Sequence, residues 1–111
     1  MDEAAFGGDT SSSFYGRCIN PINKKLSVGG SSGGSAAAIS SGIVKYSIGT
    51  DTMGSVRIPA SYCGIIGYKP SSLLCSNKDL ILLSYTYDTI GFMSNKVSNI
   101  KNIFNIINSC N

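Results

Sequence analysis

Residues 29–39 read GGSSGGSAAAI, and this stretch decides how the chain folds. A run of glycine and serine is typical of a loop, whereas the alanines after it are strong helix formers with small side chains. We therefore predict a loop that opens a helix over about residues 34–45. The small residues allow another element to approach the helix closely.

The elements on the C-terminal side of this loop alternate between strands and helices. The pattern predicts strands at 46–49 and 65–68, separated by a loop at 50–55 and a short helix at 60–63. Pro59 suits the first turn of that helix because a proline lacks the N–H that such a position leaves unpaired.

The last third of the chain predicts one more strand and one more helix. Residues 80–85 are a strand candidate. An apolar period of three to four residues predicts an amphipathic helix with Ser94 as its N-cap. Alternating strands and helices indicate an α/β fold. The apolar positions of the final helix are Val97, Ile100, Ile103, Phe104 and Ile107.

Composition bounds the class of protein. The 111 residues suffice for one domain, and 42% hydrophobic with 14% charged residues excludes an intrinsically disordered chain. The net charge of +3 is spread along the sequence, so no nucleic-acid-binding stripe stands out. The longest apolar run, residues 80–83, is far below the ~18 residues of a membrane span.

The chain has no histidine, which excludes Ser-His-Asp and Cys-His catalysis from what it does alone. Its four cysteines, Cys18, Cys63, Cys75 and Cys110, form no C-x-x-C pair. An all-cysteine zinc site is therefore disfavoured, and we predict no metal site. Free thiols in a reducing compartment are favoured over two disulfides.

The glycine–serine stretch allows several chemical interpretations. A loop before a helix N-terminus can bind an anion, but the phosphate-binding motifs G-x-x-x-x-G-K-[ST] and G-x-G-x-x-G are both absent. The pattern G-x-S-x-G fits around Ser31 and around Ser32, yet without histidine the hydrolase elbow stays incomplete. A flexible linker is disfavoured by the helix-forming alanines.

A second serine cluster, residues 49–57, reads GTDTMGSVR. A serine behind a turn of small residues can expose its hydroxyl beside backbone N–H groups that point into the same space. That arrangement is what an oxyanion hole requires. An Asp/Ser turn that caps the next helix explains the same letters equally well.

Taken together, the two clusters resemble the amidase signature family, and the resemblance covers nearly the whole chain. It implies that the chain is part of that family's α/β fold, a mixed β-sheet core flanked by helices. Within the family the chain is most similar to A subunits of glutamyl-tRNA(Gln) amidotransferases, on the strength of residues 1–3, 14–16 and 20–21. The segments that carry the family resemblance are GGSSGGSAAA at 29–38, GTDTMGSVRIPA at 49–60, CG at 63–64 and GYKP at 67–70.

The resemblance implies a Ser–cis-Ser–Lys catalytic triad. Ser55 matches the nucleophile that forms the acyl-enzyme, and Ser31 matches the serine that follows a cis peptide bond and relays the proton. The backbone N–H groups of residues 52–55 (Thr52, Met53, Gly54 and Ser55) match the oxyanion hole. Asp51 and Arg57 match supporting positions that brace this loop.

Two departures from the family pattern stand out. Met53 replaces a glycine that most relatives have, and its side chain could crowd the acyl site or forbid a positive φ. The family's catalytic lysine matches a position upstream of Met1 and is absent from this chain. None of Lys24, Lys25 and Lys69 matches it. Residues 1–111 thus resemble a single segment of a larger amidase domain whose N-terminal part, with the catalytic lysine, and C-terminal part are absent.

The resemblance further implies amide hydrolysis by a glutaminase subunit. Glutamine would be the substrate, and its ammonia would convert Glu-tRNA(Gln) to Gln-tRNA(Gln) in a complex with the B subunit of the amidotransferase, with or without the C subunit. We expect no cofactor in this chain; ATP and Mg²⁺ would be used by the partner subunit. We expect the 111 residues alone to be inactive, with the Gly30–Ser31 bond relaxed to trans.

Two other functions stay open. One is a stand-alone amidase of small or fatty amides, and the other is a non-catalytic truncated remnant. For localisation, the implied activity and the Ile-, Asn- and Lys-rich C-terminal segment favour an organelle of bacterial descent, plastid-like or mitochondrial, or a bacterial cytoplasm.

Overall fold

A three-stranded antiparallel sheet forms the centre of the computed structural model, which describes residues 1–109. The last strand in sequence lies in the middle, so the strand order is β1-β3-β2. Tyr46 lies opposite Ser94 at one end of the β1–β3 pair, and Asp51 lies opposite Thr89 at the other. The strands are β1 (Tyr46–Asp51), β2 (Ile66–Tyr68) and β3 (Thr89–Ser94).

Helices pack on both faces of this sheet. Successive side chains of β3 point to opposite faces, so each face has apolar groups for a helix to cover. Met93 packs into a buried cluster with residues of the first two helices, such as Ala36 and Ala60. Its neighbour Phe92 points to the other face and packs with Ile100 of the third helix. The helices are α1 (Gly33–Ser40), α2 (Arg57–Tyr62) and α3 (Val97–Ser109), and a 3₁₀ turn spans Glu3–Ala5.

The predicted α/β fold class is confirmed, with two corrections to its elements. Helix α1 ends at Ser40 rather than near residue 45. Gly42 adopts a positive φ of 76°, its N–H donates to the Ile39 carbonyl, and the Ile43 N–H donates to the Ala38 carbonyl. This pair of bonds is a Schellman motif, which closes the helix.

The predicted strand at 80–85 is wrong, and the strand at Thr89–Ser94 was not predicted. The N–H groups of Leu83 and Ser84 donate to the Asp88 carboxylate, so they serve a turn instead of a ladder. A glycine inside the real strand weakened the sequence pattern by which a strand is predicted. A Cβ on Gly91 would lie 3.0 Å from Val56, so the position needs a residue without a side chain.

Two smaller predictions also differ from the structure. Helix α2 begins at Arg57, three residues early, although Pro59 does lie in its first turn. Ser94 belongs to β3 and is not the N-cap of α3. Its hydroxyl donates to the Lys45 carbonyl and accepts from the Lys96 N–H, so it ties the start of α3 to the residue before β1.

Candidate active site

Ser55 lies in a tight loop between β1 and α2, which we call the Ser55 loop (residues 52–56). The serine is half-buried, and the next residue, Val56, is fully buried. Val56 packs flat on the sheet where Gly49 and Gly91 face each other across β1 and β3, because a Cβ on either glycine would approach its methyl groups to about 3 Å. The two glycines therefore set the height of Ser55 above the sheet.

Asp51, at the end of β1, organises the Ser55 loop. Its fully buried carboxylate accepts hydrogen bonds from the N–H groups of Gly54 at 2.8 Å and of Val56 and Arg57 at 3.2 Å each. Burial alone would raise the pKa of Asp51, but the bonds from Arg57 and the backbone outweigh it and lower that pKa to about 2. Asp51 is therefore an anion that holds three backbone donors in place.

Two cations balance this buried anion. The Arg57 guanidinium donates from Nε and Nη2 to the two carboxylate oxygens, each at 3.0 Å, and Asp51 in turn raises the pKa of Arg57. Lys69 Nζ lies 3.3 Å from Asp51 Oδ1. Asp51 and Arg57 thus meet beneath the Ser55 loop, as bracing residues should, and their supporting role in catalysis stays a prediction.

The second serine cluster forms the turn before α1, which we call the Ser31 turn (residues 29–33). Ser31 and Ser32 are fully buried, and within the described part of the chain neither hydroxyl has a hydrogen-bond partner. Buried hydroxyls are normally paired, because an unpaired one costs about 1–3 kcal/mol. Among residues 1–109 the turn therefore holds two buried hydroxyls without a hydrogen-bond partner.

Two buried residues near the N-terminus hold the Ser31 turn, and the motifs of the sequence did not indicate them. The Thr10 hydroxyl donates to the Gly30 carbonyl at 2.6 Å and accepts from the Gly33 N–H at 3.0 Å. The Asp2 carboxylate accepts from the Thr10 N–H at 3.1 Å, and the Asp2 N–H donates to the Ser31 carbonyl at 2.9 Å. Only the full burial of Asp2 indicates that these two residues have a special role, and a sequence does not show which residues are buried.

The Ser31 turn lies directly against the Ser55 loop. The Ser32 N–H donates to the Ser55 carbonyl at 3.2 Å. A Cβ on Gly30 would lie 3.1 Å from the same carbonyl and 2.6 Å from the Pro59 ring, so only glycine permits this approach. The structure thus brings the loops of the two predicted catalytic serines together, although these serines are well separated in sequence, as the resemblance requires.

The peptide bond before Ser31, which the resemblance implies to be cis in the whole enzyme, is trans here, because the peptide bonds among residues 1–109 include no cis bond. For a non-proline residue the trans form is lower in free energy by about 3–4 kcal/mol. The carbonyls of Gly30 and Ser31 are both hydrogen-bonded in the trans form, to Thr10 and Asp2. This agrees with the expectation that the bond relaxes to trans in residues 1–111.

The predicted oxyanion hole is altered at one of its four donors. The Gly54 N–H already donates to Asp51 and is not free for an oxyanion. Within the described residues, the N–H groups of Met53 and Ser55 have no acceptor. Those two, with the Thr52 N–H, stay the predicted donors.

Ser55 opens onto a pocket of about 330 Å³. Met53 lies at its wall and is 82% exposed. The positive φ of the loop falls on Gly54, at 128°, and not on Met53, so the methionine causes no backbone strain. Met53 therefore affects the site only through the space that its side chain occupies in the pocket. The other lining residues are Ala5, Phe6, Gly7, Gly8, Thr52 and Leu83.

The remaining candidates of the sequence lie away from this pocket. Lys24 and Lys25 are exposed. Cys18, Cys63 and Cys75 are free thiols, and burial raises the pKa of each; Cys110 lies outside the described residues. Among residues 1–109, no three side chains of the metal-binding types converge, and every helix is too short or too polar to cross a membrane.

The Amidase family profile matches residues 1–109, the whole described chain. The chain belongs to the Amidase family. The A subunit of the glutamyl-tRNA(Gln) amidotransferase of Endomicrobium trichonymphae is 52% identical over 97 residues, which are 87% of this chain and 20% of that protein.

Solved structures from the same family share the fold of this chain. The crystal structure of the glutamyl-tRNA(Gln) amidotransferase A subunit from Thermotoga maritima matches with a TM-score of 0.91 and 43% identity, over 96% of this chain and 24% of that one. The allophanate hydrolase of Kluyveromyces lactis matches with a TM-score of 0.91 and 33% identity, over 97% and 18%. The chain therefore spans about a fifth to a quarter of the length of these three relatives.

Proposed function

We propose that the protein containing this chain hydrolyses an amide through an acyl-serine intermediate on Ser55. The observation that carries the proposal is the junction of the two serine loops beside a pocket, with Asp51 holding the backbone of one of them. An amidase needs an exposed nucleophile, a proton relay within reach and oriented N–H donors. This junction supplies a candidate for each.

The proposed reaction begins when Ser55 Oγ attacks the carbonyl carbon of the amide. Its proton passes through the Ser31 hydroxyl to a neutral lysine supplied from outside these 111 residues. The N–H groups of Met53 and Ser55 bind the oxyanion. The C–N bond then breaks as the lysine returns the proton to the leaving ammonia, and water hydrolyses the acyl-serine. Among the described residues the Ser31 hydroxyl has no hydrogen-bond partner. This supports the scheme, because a proton relay must be able to bond both to Ser55 and to the lysine.

We further propose that the amide is glutamine and that the protein acts as the A subunit of a glutamyl-tRNA(Gln) amidotransferase. The support is its identity of 52% and 44% with two curated relatives that have this name. In that role it would bind the B and C subunits, act on Glu-tRNA(Gln) through the complex, and depend on ATP and Mg²⁺ used by its partner. A bacterial cytoplasm or an organelle of bacterial descent is the proposed location.

A second candidate is a stand-alone amidase. It is favoured by the allophanate hydrolase, whose equally good structural match indicates that this scaffold also serves other substrates. A lone chain that hydrolyses simple amides without ATP or tRNA would support it. A protein that hydrolyses neither glutamine nor simple amides, alone or with partner subunits, would instead be a non-catalytic remnant.

The test is ammonia release from glutamine by the whole protein that contains this chain, alone and with B and C subunits. Ser55→Ala should lower kcat by about 10³-fold or more, because it removes the attacking atom. The matched control is Ser61→Ala, which changes an exposed serine of α2. Turnover retained by Ser55→Ala would exclude Ser55 as the nucleophile.

A further inference from the structure

Lys69 follows β2 and reaches beneath the Ser55 loop, where it meets three oxygen atoms. Its Nζ donates to the Thr52 carbonyl at 2.7 Å and to the Tyr87 carbonyl at 2.8 Å, and it lies 3.3 Å from Asp51 Oδ1. Two of these contacts are hydrogen bonds to carbonyls, and the third is an ion pair with the Asp51 carboxylate. The side chain is only 19% exposed, which strengthens these charge-assisted contacts.

We propose that Lys69 is a positioning residue that fixes the Met53 N–H as an oxyanion donor. In a trans peptide the C=O and the following N–H point in opposite directions. Because Lys69 binds the Thr52 carbonyl from beneath the loop, the Met53 N–H of the same peptide must point to the other side. Thr52, Met53 and Ser55 line the pocket and Lys69 does not, so that other side is the pocket.

A second contact holds the same peptide from its side chain. The Thr52 hydroxyl donates to Asp88 Oδ1 at 2.5 Å, and Asp88 is 4% exposed and fixed by the N–H groups of Leu83 and Ser84. Thr52 is thus held through its hydroxyl by Asp88 and through its carbonyl by Lys69. With both held, the Thr52–Met53 peptide cannot rotate without breaking a buried, charged contact.

The same contacts separate Lys69 from the missing base. A general base needs a lone pair on an amine within reach of the proton it takes, whereas Lys69 Nζ donates to two carbonyls and contacts the Asp51 carboxylate under the loop. Its action is therefore on the geometry of the peptide and not on the proton of Ser55. This inference rests on the proposed amide hydrolysis, whose oxyanion the Met53 N–H would bind.

The experiment compares Lys69→Met and Lys69→Arg in the whole protein. Lys78→Met is the control, because Lys78 is exposed on the loop between β2 and β3. We expect Lys69→Met to lower kcat for glutamine by about 10- to 100-fold, less than the ~10²–10³-fold loss seen when an oxyanion donor is removed outright. KM should change by less than about 3-fold, since the ground state uses this donor little.

A second measurement distinguishes positioning from a merely structural role. A boronic acid with the glutamine side chain forms a tetrahedral adduct with a serine, and its oxygen would occupy the oxyanion hole. Its affinity should fall by the same factor as kcat/KM, while that of the product glutamate should not change. Lys69→Arg retains the charge beside Asp51 but not the geometry of the three contacts. Its kcat and its affinity for the boronic acid should therefore lie between those of wild type and Lys69→Met.

The possible results differ in what they overturn. Unchanged kcat and boronic-acid affinity in a folded Lys69→Met protein would overturn the positioning role alone. If that variant does not fold, unchanged values for Lys69→Arg would do the same. An equal loss of glutamate affinity would mean that Lys69 only stabilises the loop. If wild type has no amide turnover, or Ser55→Ala retains it, the proposed function fails and this inference with it.

Discussion

The Ser55 loop and the Ser31 turn lie in contact, yet they differ in how their polar groups are satisfied. Around the Ser55 loop the charged groups pair within this chain, Asp51 with Arg57 and Lys69, and Asp88 with Thr52. In the Ser31 turn the backbone is held by Asp2 and Thr10, while the two serine hydroxyls have no partner among the described residues.

This difference indicates which half of the site is built by these residues alone. A loop whose charged groups are all paired is pre-organised, and catalysis benefits because no reorganisation is needed in the transition state. Buried hydroxyls normally have a hydrogen-bond partner, so an unpaired one indicates that this part of the site is incomplete. Under the proposed function, the Ser55 loop would be the pre-organised oxyanion side of the site, and the Ser31 turn would be the side that bonds to the proposed lysine.

The largest effect that tests this contrast comes from the two unpaired serines themselves. Ser31→Ala should lower kcat by about 10²–10⁴-fold, the usual worth of a positioned proton relay. Ser32→Ala is a matched control, because Ser32 is equally buried, lies next to Ser31 and lacks a hydroxyl partner as well among residues 1–109. Glutamine hydrolysis by the whole protein measures both. Equal losses in the two variants would mean that burial, and not a relay, explains the Ser31 turn.

A smaller effect, on stability, tests the paired side. The pKa of Asp51 is about 2 in the folded chain against an ordinary 3.8, so its carboxylate stabilises the fold above about pH 4. That contribution is lost as the pH falls from about 4 to 2, because the unfolded chain takes up the proton first. Asp51→Asn should therefore lower the free energy of unfolding by on the order of 2 kcal/mol at pH 7 and by much less near pH 2.

Denaturant titrations of the whole protein at pH 7 and near pH 2 measure this difference. Asp79→Asn serves as the control, because Asp79 is exposed. A destabilisation by Asp51→Asn of the same size at both pH values would show that the ionised carboxylate does not hold the Ser55 loop.

The two regions also differ in how far the sequence could predict them. Ser31 and Ser55 are identified by their motifs, and the helix positions follow from periodicity and composition. Lys69, Asp2 and Thr10 could not be recognised, because their roles depend on contacts with residues that are distant in sequence. The strand β3 was hidden by Gly91, whose missing side chain is required by the packing of Val56 and not by any local preference.

The smallest expected effect concerns the wall of the pocket that the two regions share. Met53 is 82% exposed beside Ser55, so its side chain limits the size of the acyl group without taking part in the core. Met53→Ala retains the backbone preference for negative φ and removes the side chain beyond Cβ, which Met53→Gly would not do cleanly because glycine also loosens the loop.

We expect Met53→Ala to raise kcat/KM for a bulky amide relative to a small one by about 3- to 10-fold, the low end of what an apolar contact contributes to substrate discrimination. Thermal stability should stay the same, since the side chain buries little surface. The ratio is measured with two amides that differ only in acyl size. An unchanged ratio would place the acyl group away from Met53, and the pocket beside Ser55 would then hold the leaving-group side of the substrate.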